Sequence, residues 1–147
     1  MAVTKDSQRR HAVVLMVLLG LFCFRVFAQL LQWVRPVGFL PGFDRWASGA
    51  LPYPLLFGIQ IIMIGAFFWI LYRWFKKKIT PSIKIGVALS TFGGIYFLVM
   101  FTRLIIGLSV EQSPVWFQFT IPSFFHLVLA SFFVTMGTFH LQNAKTT

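Results

Sequence analysis

The run AVVLMVLLGLFCFRVFAQLLQW, residues 12–33, decides the fold: its apolar character is broken only by Arg25 and two amides, Gln29 and Gln32. About 20 such residues, rising roughly 1.5 Å each, cross the hydrocarbon core of a bilayer as a helix. The run extends back to His11, giving a span at 11–33, and three more of the same kind follow at 52–74, 84–109 and 119–141. None of the four contains an aspartate or glutamate. The runs lack the period-2 alternation of a membrane β-barrel strand. The expectation is an all-α integral membrane protein, a four-transmembrane-helix bundle forming one domain over 1–147.

Composition points the same way. The chain is 58% hydrophobic and 11% charged, against about 25% charged in soluble domains, and its mean hydropathy is +0.81. The ends of the spans carry interfacial aromatic and basic residues: Trp33, Arg35, Tyr53, Tyr72 and Trp116. The N-terminal tail (Lys5, Arg9, Arg10), the second loop (Arg73, Lys76, Lys77, Lys78, Lys84) and the C-terminal tail (Lys145) hold nine basic residues. The first loop holds two, Arg35 and Arg45, and the third none. Positive residues stay inside, so both termini are expected to be cytoplasmic, in the cell's inner membrane. The net charge of +10 thus reads as topology and contact with anionic lipid, with Lys76, Lys77 and Lys78 as a headgroup-binding patch. Nucleic acid is an unsuitable partner, because no soluble face interleaves basic and aromatic residues.

The first span also has signal-peptide features, with Arg9 and Arg10 before the apolar run and a Val26-Phe27-Ala28 sequence after it. Arg25, set against that cleavage-like site, argues for retention as a span. Cys23 is the single cysteine; it allows no internal disulfide and reads as a small apolar residue.

The informative residues are polar ones at a common depth. Arg25 lies roughly 12 Å below the outer end of the first span, and Arg103 about six residues below the outer end of the third. Gln60 and His126 sit about four to nine residues into theirs. Ionisable groups at membrane depth are costly and mark functional sites by default. Arg25, Gln29 and Gln32 are spaced i, i+4, i+7 on one face of the first helix, and Tyr96 and Arg103 share a face of the third. Gly86, Ser90 and Gly94 recur every four positions on roughly the opposite face, which suits close approach by another helix or a partner chain. Arg25, Gln29, Gln60, Arg103 and His126 are therefore the candidate ligand-binding layer, and Asp44 and Glu111 in the outer loops are its candidate counter-ions. Snorkelling of each arginine to the outer headgroups is the competing structural explanation.

Guanidinium forks, amides and a neutral imidazole supply hydrogen-bond donors and positive charge but no strong base. Such a lining suits an anion or a carbonyl: a lipid phosphate, a carboxylate, a haem propionate or a quinone oxygen. Paired-carboxylate chemistry is excluded, since Asp6, Asp44 and Glu111 are isolated acids, and no nucleophilic triad, metal cluster or phosphate-cradling loop is present. Three histidines leave a b-type haem open: His11 and His140 near the cytoplasmic surface, or His126 and His140 on one helical face. His126 alone could serve as axial ligand to a chlorophyll-type pigment. The 19 phenylalanines read first as helix-interface packing.

The first loop, 34–54, is too apolar to hang in water and too broken by proline and glycine to span. It reads as an interfacial cap with a short helix from Asp44 to Ser48 stopped by Gly49, whose Phe43 and Trp46 dip into lipid or a partner. Pro122 predicts that the fourth helix begins near Thr120, with Val115 to Phe119 as another interfacial strip.

The expected function is a small non-catalytic subunit that packs in a larger membrane complex with other integral membrane proteins and holds a lipid or lipophilic cofactor in the Arg/Gln/His layer. The alternative is an electron-transfer or photosynthetic protein binding b-type haem, quinone or pigment. A weaker one is a small transporter or an enzyme acting on a lipophilic substrate.

Overall fold

The computed structural model describes residues 5–46, 51–76, 78–109 and 119–144. These residues form five helices and, among them, no strand: α1 (Lys5–Val34), the single turn α2 (Phe43–Trp46), α3 (Tyr53–Phe75), α4 (Ile83–Ser109) and α5 (Thr120–Ala144). All but α2 are long and apolar enough to cross a membrane, as a multi-pass membrane protein requires. The four expected spans thus stand within a few residues of their predicted ends. Prolines mark two of the starts. Pro52 caps α3 and Pro54 lies in its first turn, and Pro122 lies in the first turn of α5, where a missing N–H costs no intrahelical bond.

The principal packing runs α3 on α1, α1 on α5 and α5 on α4, so α5 is the most enclosed helix while α3 and α4 leave most of their surface uncovered. A seam of rings joins α3 to α5. Phe67 stacks on Phe132 with centroids 4.2 Å apart, and Trp74 meets Phe139 at 4.1 Å. Between α4 and α5 the backbones themselves touch. A Cβ placed on Gly86 would lie 2.9 Å from the Leu141 nitrogen, one on Gly93 2.9 Å from that of Val134, and one on Gly137 2.6 Å from that of Ser90. Small residues allow this approach, and dispersion between the closely spaced backbones then holds the helices together where lipid offers no hydrophobic drive.

This pairing corrects two expectations. The small face of α4 is covered by α5, and it continues through Gly93, whereas Gly94 meets nothing within 4 Å. Nor is it opposed to the polar face, because Gly86, Gly93 and Arg103 are all buried. The uncovered face of α4 carries Phe92, Ile95, Leu98, Ile105 and Leu108 instead.

One end of the bundle gathers the start of α1, the end of α5 and the α3–α4 connection. Gln8 and Trp74 exchange side-chain to backbone hydrogen bonds, and the Ser82 amide donates to His140 Nδ1 at 3.2 Å. The α1–α3 loop closes the other end.

Candidate functional site

The site begins with the stripe Arg25, Gln29 and Gln32 on α1, all three buried. Gln32 fastens the loop. Its Nε2 donates toward the carbonyls of Val37 (2.9 Å), Leu40 (3.0 Å) and Pro41 (3.0 Å), and its Oε1 accepts from the Val37 amide at 3.0 Å. The loop is thereby bent back over the end of α1, and the Trp46 indole, bonded through Nε1 to the Pro41 carbonyl at 2.8 Å, enters the bundle.

Trp46 is only 4% exposed and stacks on Phe125 with ring centroids 6.2 Å apart and planes inclined by 27°. The expectation that it dips into lipid or a partner is therefore corrected: the indole is buried in the bundle, and the hydrogen bonds at Gln32 and to the Pro41 carbonyl hold the loop against α1. Phe43 likewise stands edge-on to Tyr53 at 5.1 Å. The short helix is Phe43–Trp46, and Ser48 and Gly49 lie outside the described residues.

Trp46 places its carbonyl oxygen over the polar layer. Arg25 Nη2 donates to it at 3.4 Å and Gln29 Nε2 at 3.5 Å, while Gln60 Nε2 donates to Gln29 Oε1 at 3.3 Å. The Arg25 guanidinium lies over the Phe125 ring, 5.7 Å from its centroid, a cation–π contact that gains value when desolvated. From α4 and α5, Tyr96 and His126 share a short hydrogen bond at Nδ1. Both arginines act electrostatically on Tyr96 and on His126. Arg25, Gln29, Gln60, Arg103 and His126 are thus gathered into one neighbourhood, with both guanidiniums buried in protein, 7% and 3% exposed.

Three buried polar atoms here have no hydrogen-bond partner among the described residues: Arg25 Nε, Gln60 Oε1 and the Tyr53 hydroxyl. Tyr53 interacts electrostatically with Arg25. It escaped the sequence reading because a tyrosine at a span end passes for an interfacial anchor, although its place two turns before Gln60 puts both on one face. Tyr96 was placed on the Arg103 stripe but not in the layer. The Trp46 carbonyl, a backbone acceptor, has no sequence signature.

Other sequence-predicted residues fall elsewhere. Asp44 is exposed on α2, and the acceptor that Arg25 meets among the described residues is the neutral Trp46 carbonyl; Glu111 lies outside the described residues. His11 and His140 are at the opposite end from His126, and each meets the Phe139 ring, at 5.6 and 5.8 Å. Lys76 and Lys78 are exposed beside the α3–α4 turn, where the Arg73 guanidinium donates to the Lys78 carbonyl, and Lys77 and Trp116 are outside the described residues.

The chain matches no family model, no curated protein and no solved structure. Its chemistry is therefore read from its own residues.

A permanent cation faces neutral donors and acceptors, with an unbonded N–H, amide oxygen and hydroxyl at hand. That set can hold one small anionic or carbonyl group, and it contains no base strong enough for hydrolysis. Beside it, sharing Trp46 and Phe125 as a wall, runs an apolar groove of about 500 Å³ bounded by Phe24, Leu40, Leu104 and Phe124. A polar cluster and an apolar groove thus lie side by side.

Proposed function

We propose that the chain is a small accessory subunit of the cytoplasmic membrane, both termini cytoplasmic, that holds an anionic or carbonyl-bearing lipophile and packs against larger membrane proteins. The head of the guest is received by Arg25, Gln29, Gln60, Arg103 and His126, and its apolar part by the groove at Phe24 and Phe125. The observation that carries this reading is Arg25: a guanidinium 7% exposed which, among the described residues, meets the neutral Trp46 carbonyl at 3.4 Å and has no hydrogen-bond partner at Nε. Burial of an uncompensated ion costs several kcal/mol, and an anionic guest removes that cost. The uncovered apolar faces of α3 and α4, with Ile62, Trp69 and Leu98 more than half exposed, support contact with partner helices or lipid.

Native mass spectrometry of the chain extracted from its own membrane tests both halves. A retained lipophile that is lost in Arg25→Gln, together with a stoichiometric membrane partner, is the expected outcome. A bare monomer from both wild type and variant excludes the reading.

A quinone-binding redox role is the second reading, favoured by the Tyr96–His126 hydrogen bond beside two guanidiniums, a donor set for a carbonyl oxygen. Haem and pigment are separated from it by absorbance: a band in the visible range requires them, and a guest absorbing only near the aromatic region requires a quinone or lipid.

A further inference from the structure

A second candidate site lies at the opposite end of the bundle and does not depend on the Arg25 layer. Gln8 Nε2 donates to the Trp74 carbonyl at 3.2 Å, and Trp74 Nε1 donates to the Gln8 carbonyl at 3.3 Å. This reciprocal clamp pins the start of α1 to the end of α3, and Trp74, 1% exposed, makes a fixed wall. Next to the clamp is a hollow of about 440 Å³ lined by Ala12, Val13, Met16, Trp74 and Phe75, with Arg9 at its rim. A second hollow of about 580 Å³ adjoins it, lined by Arg9, Arg10, Val13 and Val14. The two share Arg9 and Val13. Val13, Val14, Met16 and Phe75 are all more than 40% exposed, so both hollows open sideways to the surrounding lipid.

This arrangement has the shape and charge of one ligand class. Two guanidiniums at the water-facing rim suit a phosphate, which an arginine fork receives through paired N–H groups. From the arginines the two hollows run down either side of Val13, one past Ala12 to Met16, about 10 Å along the helix, the other as far as Val14, room for the upper part of an acyl chain. Lys76 and Lys78, exposed at the end of the neighbouring helix, add positive potential of the kind that draws anionic lipid. We infer that the two hollows flanking Val13 bind one anionic diacyl phospholipid, its phosphate on Arg9 and Arg10 and a chain on each side of Val13.

The test is native mass spectrometry of the full chain in detergent, titrated with phosphatidylglycerol, with phosphatidylcholine of the same chains, and with inorganic phosphate as competitor. Phosphatidylglycerol is expected to bind at least severalfold more tightly than phosphatidylcholine and to resist displacement by inorganic phosphate. Arg9→Gln and Arg10→Gln should each weaken it about fivefold, the ~1 kcal/mol given by one basic residue at an anionic surface. Val13→Trp, which fills the divide, should exclude both lipids. Equal binding of the two lipids, full competition by inorganic phosphate, or unchanged binding in both arginine variants overturns the inference. The arginine variants alter only exposed side chains, so they decide the matter even where Val13→Trp does not fold. Arg25→Gln should leave this binding intact, which separates failure here from failure of the outer layer.

Discussion

Arg25 Nη2 and the Trp46 carbonyl oxygen lie 3.4 Å apart, and that long bond ties a buried charge to a loop otherwise fastened by Gln32. A carbonyl dipole compensates only part of a guanidinium's lost hydration. The Trp46 carbonyl therefore offsets only part of the cost of burying Arg25, and the proposed guest would offset the rest.

Replacing Arg25 separates a binding role from a structural one. Arg25→Met removes the charge at similar volume, and where a buried ion lacks a strong partner such a change is neutral or stabilising by about 1–4 kcal/mol. The expected result is a chain whose thermal unfolding in detergent, stripped of lipid, is unchanged or shifted upward, yet which does not retain the proposed lipophile. A large loss of stability would instead make the guanidinium a structural tie.

Gln32 offers a sharper test of the loop. Three carbonyls converge on its amide nitrogen, which has two hydrogens to share, while its oxygen accepts from Val37. Gln32→Glu sets a carboxylate against those carbonyls and should destabilise by about 2–3 kcal/mol, more than Gln32→Leu, which forfeits hydrogen bonds without adding repulsion. Amide hydrogen exchange across 37–46 should rise in both variants, and more in the glutamate one. Equal protection in wild type and Gln32→Glu would show that the loop is held by something other than Gln32.

How much of this was legible depended on whether the cause was local. The four long helices follow from apolar length, and Thr120 as a start follows from Pro122, since both depend on the segment alone. The buried stripe of Arg25, Gln29 and Gln32 was readable because i, i+4, i+7 spacing needs no knowledge of neighbours. The small face of α4 was misread for a geometric reason. Steps of four drift about 40° each, so Gly94 sits about 80° from Gly86, whereas seven residues return Gly93 to within about 20°. The place of Trp46 was illegible because an apolar loop between spans satisfies lipid and protein equally. The Gln32 and Pro41 contacts, the Phe125 ring and the Arg25 and Gln29 bonds to the Trp46 carbonyl place it in the bundle.

Gly93 and Gly94 give that geometry a direct check. Gly93→Ala puts a methyl 2.9 Å from the Val134 backbone, and Gly137→Ala one 2.6 Å from that of Ser90, while Gly94→Ala meets open space. The first two should each cost about 1–3 kcal/mol by forcing α4 and α5 apart, and the third should fall within about 0.5 kcal/mol of wild type. Unfolding in detergent measures all three, and a penalty at Gly94 matching that at Gly93 would move the interface to the other face of α4.

The Tyr96–His126 hydrogen bond predicts a non-additive pair. Tyr96→Phe leaves a half-buried imidazole nitrogen without this partner, at a cost of about 1–3 kcal/mol. His126→Phe strands the hydroxyl and should cost about as much. Once both are phenylalanine neither polar atom remains, and the rings can pack apolar face to apolar face, so the double variant should recover much of the single losses. A coupling of about 1–2 kcal/mol in the double-mutant cycle is the expected outcome. Additive losses would mean that each residue is held by its other neighbours, and that α4 and α5 meet at this depth through packing alone.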